Sequence, residues 1–297
     1  MLNYVLWSIL FLFIFFLIVL YLFLSANNGI FHDGGLKAYY LGLLPPKYSL
    51  PYKIITIDNS SQLQQLPILE ELKYPVVFKP DDSSGGGQDV ELIKNKKMAL
   101  DYLKNILSKY KKIIAQEYCQ VPKEYSILYE KHPLANQGKV ISITEKIPVR
   151  SKTNDFTVYS VGIGNRHSDV VDHSKMITPF FSQCIDLMTK RIPNLYAGRY
   201  DVKADSLVSL LRGDFYVLEL NNLQGLDLRA FTKTTSLFDR CNWWVQLRWL
   251  SQRICFGFEN HLIHGPFTIW LNLYRQFKTI SPYEVGYIMN IFRSCLR

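Results

Sequence analysis

Residues 74–88, YPVVFKPDDSSGGGQ, restrict the fold more than any other stretch of the chain. Val76, Val77 and Phe78 are β-formers in a short apolar run, Lys79 stands at its end, and Pro80 stops further sheet pairing. The chain then passes through Ser83, Ser84, Gly85, Gly86 and Gly87. Successive glycines let a backbone come close to a ligand and turn its N–H groups inward on an anion. A fixed ammonium beside such a loop is what a polyphosphate needs. The same residues also suit a glycine-rich surface hairpin, so the rest of the chain has to decide between the two.

The 297 residues suffice for one large or two modest domains with real cores. Lys and Arg number 34 against 25 Asp and Glu, a formal charge of +9. The basic residues are spread without a run of five, which favours an anionic ligand or a membrane surface over a nucleic-acid patch. The 5 cysteines lie far apart with no CxxC, so neither a zinc site nor a disulfide framework is indicated. Reduced thiols fit a cytosolic face.

Residues 4–24, YVLWSILFLFIFFLIVLYLFL, carry no charge and are long enough to cross a bilayer as a helix. Tyr4, Trp7 and Tyr21 lie near the ends, where aromatic side chains favour the interface. A cleaved signal peptide is the rival reading; its apolar part would be shorter and would follow a basic stretch, which is missing here. Lys37, Lys47 and Lys53 follow the span and no Lys or Arg precedes it, which puts the bulk of the chain on the cytosolic side. The expected organisation is a single-pass anchor at 1–25, a juxtamembrane linker at 26–44, a catalytic domain at 45–236, and a helical region at 237–297. That last region mixes Trp, Phe and Tyr with Arg, which suits packing on the domain or contact with the bilayer.

Within the central domain, strands are expected at 54–57, 89–93, 113–118, 124–129, 140–147, 157–162, 198–202 and 214–220. Residues 60–72 read as helical at their ends with Pro67 interrupting. Amphipathic helices are expected at 97–110, with Leu100, Leu103, Ile106 and Leu107 inward, and at 174–191. One strand ends in Gln116 and Glu117, and the next opens with Glu124. Acids there can accept from an adenine amine and ribose hydroxyls, or simply stand in solvent. Lys146 lies on a later strand and Arg150 on the loop after it. Arg199 and Asp201 are two apart on one strand face, as are Glu219 and Asn221. Asp201, Glu219 and Asn221 would supply oxygen ligands of the kind Mg²⁺ takes beside substrate phosphates, with Arg199 there to stabilise a transferring phosphoryl group. Structural ion-pair networks use the same residue types.

The order of these pieces carries more than any one of them. YPVVFKP with SSGGGQDV, QEYCQVPKEYSI, GRYDV and YVLELNNLQG resemble the ATP-grasp superfamily, and within it the carboxylate–amine ligases of the D-alanine–D-alanine ligase type. The resemblance covers residues 45–228. It implies an α+β fold in which two subdomains clasp ATP, with Mg²⁺ or Mn²⁺. Lys79 would contact the phosphates and Ser83, Ser84, Gly85, Gly86 and Gly87 would close over them. Gln116, Glu117 and Tyr118 would line the adenine hinge, and Glu124 would hold the ribose. Asp201, Glu219 and Asn221 would bind the metal and Arg199 would support the acyl-phosphate step, with Lys146 and Arg150 as further candidates for phosphate or substrate carboxylate. A substrate carboxylate would attack the γ-phosphate and an amine would capture the acyl phosphate, with release of ADP. An ATP-grasp kinase or phosphotransferase, or a catalytically silent nucleotide-binding scaffold at a membrane, are the alternatives. Two departures stand out. The interval ahead of Val76 is too short for a separate substrate domain, and Asn222-Leu223-Gln224-Gly225 lacks the usual Pro before Gly.

Overall fold

Runs of β-branched and aromatic residues, separated by amphipathic helical segments, pair into two antiparallel sheets. The structure is a computed structural model that describes residues 37–56, 67–81, 87–106, 109–131, 135–148, 168–193, 195–221 and 227–232. The expected anchor at 4–24, Ser83, Ser84, Gly85, Gly86, Arg150, the strand at 157–162 and the region 237–297 lie outside the described residues. Among the described residues no helix is long and apolar enough to cross a membrane.

Helix α1 (Lys37–Leu43) precedes the first sheet. That sheet holds β1 (Tyr52–Thr56), β2 (Val76–Pro80), β3 (Glu91–Ile93) and β4 (Lys112–Glu117) in the order β1-β4-β2-β3. Helix α2 (Lys96–Ile106) covers one face and buries Ala99, Leu103 and Ile106 against Phe78, Ile93 and Ile113. The Asn95 side chain accepts from the Met98 N–H at 3.0 Å and starts the helix.

The second sheet holds β5 (Lys123–Glu130), β6 (Lys139–Pro148), β7 (Ser168–Asp172), β8 (Ala197–Ala204) and β9 (Tyr216–Asn221), in the order β7-β6-β5-β8-β9. Period-two alternation sends Tyr125, Ile127 and Tyr129 of β5 to a core shared with α1, α3 (Pro179–Thr189) and α4 (Leu207–Leu211). Each such fully buried large side chain contributes about 1.5–3 kcal/mol. Glu124, Ser126 and Leu128 alternate onto the opposite face.

Three differences from the sequence reading have local causes. The helix expected over 174–191 is split into a 3₁₀ turn at Ser174–Met176 and α3, which starts at Pro179. Proline disfavours helical backbone in the residue before it, and the Thr178 hydroxyl caps the new start by accepting from the Phe181 N–H at 3.1 Å. The linker expected at 26–44 contains α1, because Ala38, Tyr40, Leu41 and Leu44 bury an apolar face on the second sheet. Of the expected helical ends of 60–72, the first lies outside the described residues, and the second is a 3₁₀ turn at Pro67–Leu69 with no α-helix after it among the described residues.

The sheets are tied at several points. The connection 118–122 joins β4 to β5, Ser49 forms a parallel bridge to Val217, and the Tyr52 hydroxyl donates to the Ala38 carbonyl at 3.2 Å.

Candidate functional site

On the second sheet, alternation aligns Glu124, Ser126, Lys146, Arg199, Asp201 and Glu219 on one face. Asp201 is the hub. Its Oδ1 accepts from the Ser126 hydroxyl and from Arg199 Nε at 3.1 Å. Its Oδ2 accepts from Arg199 Nη2 at 3.1 Å and Asn221 Nδ2 at 3.2 Å, with Lys146 Nζ 3.3 Å away. Lys146 donates to Glu124 Oε1 at 2.8 Å. Lys146, Glu124 and Asp201 are all buried. Burial works to raise Asp201, but the Arg199 and Lys146 cations and the Ser126 hydroxyl outweigh it and hold the carboxyl well below its usual range. Burial works to lower Lys146, and Asp201 and Glu124 together hold it above its ordinary value. Burial raises Glu124, with Lys146 opposing.

The first sheet brings Lys79 and Gln116 to this face. Lys79 is buried, and its ammonium donates to Gln116 Oε1 and to the Leu218 carbonyl of β9, each at 2.7 Å. The second bond crosses from one sheet to the other, one residue from Glu219. Burial brings Lys79 down to about 8, against the pull of Glu219. Lys79 and the Arg199–Asp201–Glu219–Asn221 group, read from distant parts of the sequence, therefore meet across one cleft.

Alternation separates the other residues expected at the hinge. Gln116 is buried toward the cleft, whereas Glu117 is exposed. Tyr118 is half-buried, with Lys203 Nζ 5.9 Å from its ring centroid. Lys203 also donates to the Val121 carbonyl at 3.1 Å and the Cys119 carbonyl at 3.4 Å, fastening the connection between the sheets. Glu124, expected at the ribose, is engaged by Lys146. Gly87 has φ +73°, a conformation glycine adopts without strain.

The metal candidates do converge. Asn221 Nδ2 donates both to Asp201 Oδ2 and to Glu219 Oε1, the latter at 3.1 Å, so two carboxylates point at one NH₂ group. Among the described residues no group of three His, Cys, Asp or Glu side chains is placed to hold a metal. Two carboxylates and an amide nevertheless form a hard oxygen set, which suits an ion that retains waters and phosphate oxygens.

Sequence reasoning passed over Ser126, Lys203 and Asp81. The first two had a signal, since they follow Glu124 and Asp201 by two and so share a strand face with them. Asp81 had none. It is buried, its Oδ1 accepts from the Ala38 N–H at 2.8 Å, and it fixes the start of α1 to the end of β2.

No protein-family model matches the sequence, and no curated protein matches it. Solved structures do. The VanG D-Ala:D-Ser ligase of Enterococcus faecalis is similar at a TM-score of 0.50 and 12% identity, over 75% of this chain and 61% of that one. The D-alanine–D-alanine ligase of Coxiella burnetii gives 0.48 and 10%, over 77% and 59%. The biotin carboxylase domain of the Hydrogenobacter thermophilus 2-oxoglutarate carboxylase gives 0.45 and 16%, over 63% and 39%. The chain spans 51–65% of the length of the first three D-alanine–D-alanine ligases that it matches. At these identities the likeness concerns the fold alone, and this chain shares with the VanG ligase an ATP-grasp-like α+β fold.

Proposed function

We propose that the chain is a membrane-anchored, ADP-forming ligase that uses ATP and Mg²⁺ to activate a carboxylate as an acyl phosphate and join it to an amine. The observation that carries this reading is Lys79, bonded across the cleft to Leu218 beside the Arg199–Asp201–Glu219–Asn221 group. Lys79 supplies positive charge for phosphate oxygens. Arg199, held by two hydrogen bonds to Asp201, keeps a guanidinium fixed where phosphoryl charge spreads. Glu219, Asp201 and Asn221 would hold Mg²⁺, with the Asn221 amide turned to offer its oxygen. The ion neutralises phosphate charge when bound. Residues 4–24 provide the anchor, with the catalytic domain on the cytosolic side.

The test is nucleotide turnover by the full chain in detergent, with Mg²⁺ and a panel of amino acids and other carboxylates. ADP release stimulated by one of them, and abolished by Glu219→Ala, supports the ligase. ADP release with the phosphate retained stably on a hydroxyl substrate points to a phosphotransferase instead. A folded chain that binds no ATP overturns the reading.

A further inference from the structure

Gln116 is 3% exposed, and only half of its amide is engaged. Its Oε1 accepts from Lys79 Nζ at 2.7 Å, while Nε2 is buried with no hydrogen-bond partner. Lys79 fixes which way the amide faces, because turning it over would set the NH₂ group against an ammonium. Gln116 therefore presents donors only, and a buried donor left unmade is costly.

The position of this donor is defined by register. Lys79 pairs with Ile114 and Val77 pairs with Gln116, so Gln116 lies two positions along the sheet toward the connection 118–122. A nucleotide that puts its phosphates on Lys79 and runs toward that connection brings its base to Gln116. The next two backbone N–H groups are already committed: Glu117 donates to the Pro51 carbonyl at 2.9 Å and Tyr118 to the Pro75 carbonyl at 3.3 Å. Gln116 Nε2 is, among the described residues, a buried side-chain donor without a partner at this end of the strand.

We propose that Gln116 selects the nucleobase by donating to an acceptor on its edge, so that the site takes 6-oxo purine nucleotides at least as well as adenine nucleotides. This rests on the nucleotide-binding reading above and adds base selectivity to it. Guanine and hypoxanthine present O6 and N7 as acceptors. Adenine presents N1 and N7 as acceptors but carries at position 6 an amine, a donor that finds no acceptor on this residue. A carboxylate at the same place would reverse the match, accepting from the amine and opposing O6.

The experiment is calorimetric binding of Mg²⁺-ADP, Mg²⁺-GDP and Mg²⁺-IDP to the full chain, to Gln116→Glu and to Gln116→Met. The wild type is expected to bind GDP and IDP as tightly as ADP or more so. Gln116→Glu should shift the ratio toward ADP by about tenfold, and Gln116→Met should lose the preference without reversing it. A wild type that prefers ADP over both 6-oxo nucleotides by tenfold overturns the proposal, and this arm needs no variant to fold. Nucleotide binding with the same ratio in wild type and Gln116→Glu overturns it as well, and leaves the nucleotide site standing. Absence of binding by any of the three overturns the nucleotide reading itself.

Discussion

The two sheets meet at one cleft but treat their polar groups in opposite ways. On the second sheet, among the described residues, Asp201, Arg199, Lys146 and Glu124 are matched with one another, while Glu219 accepts from the Asn221 amide. Asp201 is held by Ser126, Arg199, Asn221 and Lys146, and Lys146 is shared with Glu124. On the first sheet the Lys79 ammonium has only uncharged oxygens for its hydrogen bonds among the described residues, and the Gln116 NH₂ has no partner. One side is rigid before any ligand arrives, whereas the other holds unspent bonding capacity. Preorganised charge suits the reacting centre, and unmatched donors suit the grip on an incoming nucleotide.

Substitution can break this contrast. Asp201→Ala takes a carboxylate away from buried Lys146 and part-buried Arg199 and should destabilise the fold by about 3–5 kcal/mol, read as a lower urea midpoint. An unchanged midpoint would show that the second sheet is not held by its charges. Lys79→Met removes a buried cation that has no carboxylate within its hydrogen bonds but leaves Gln116 Oε1 and the Leu218 carbonyl without that donor, so the urea midpoint should fall less than in Asp201→Ala. Nucleotide affinity should nevertheless fall by about 1.5–3 kcal/mol, roughly 10- to 100-fold by calorimetry. A smaller effect sharpens the same point. The Lys79 ammonium is present below about 8 and lost above it, so affinity should weaken as the pH climbs from about 7 to about 9. Lys79→Arg, which keeps its charge throughout, should flatten that slope. The least change is expected of Lys203→Met, which frees the 118–122 connection. It should cost about 1 kcal/mol in nucleotide binding, with little change in the urea midpoint.

Much of this was legible in the sequence, for a physical reason. Strand alternation is local, so Arg199 with Asp201 and Glu219 with Asn221 could be placed on common faces from spacing alone, and the structure joins all four. The pairings between sheets were not legible. Nothing near Lys79 in sequence announces Leu218, and Glu124 gives no sign that Lys146 will claim it, because register between distant strands is a tertiary outcome. Alternation was also underused. Gln116 and Glu117 are neighbours, so one had to face the cleft and the other had to leave it. The helix broken at Pro179 was readable from the proline alone.

The position of α1 has a kinematic consequence. Through Ala38 the helix is bonded to Asp81 at the end of β2, and through Tyr40 and Leu41 it is packed into the core of the second sheet. The two halves are thus joined by α1 and by the strand connection that Lys203 fastens, besides the Ser49–Val217 bridge and the Lys79–Leu218 bond. A body hinged at one point can swing in any direction; one hinged at two can swing only about the line that joins them. Each further tie narrows the relative motion of the sheets, and a pull exerted on the chain at Lys37 acts directly on one of these ties.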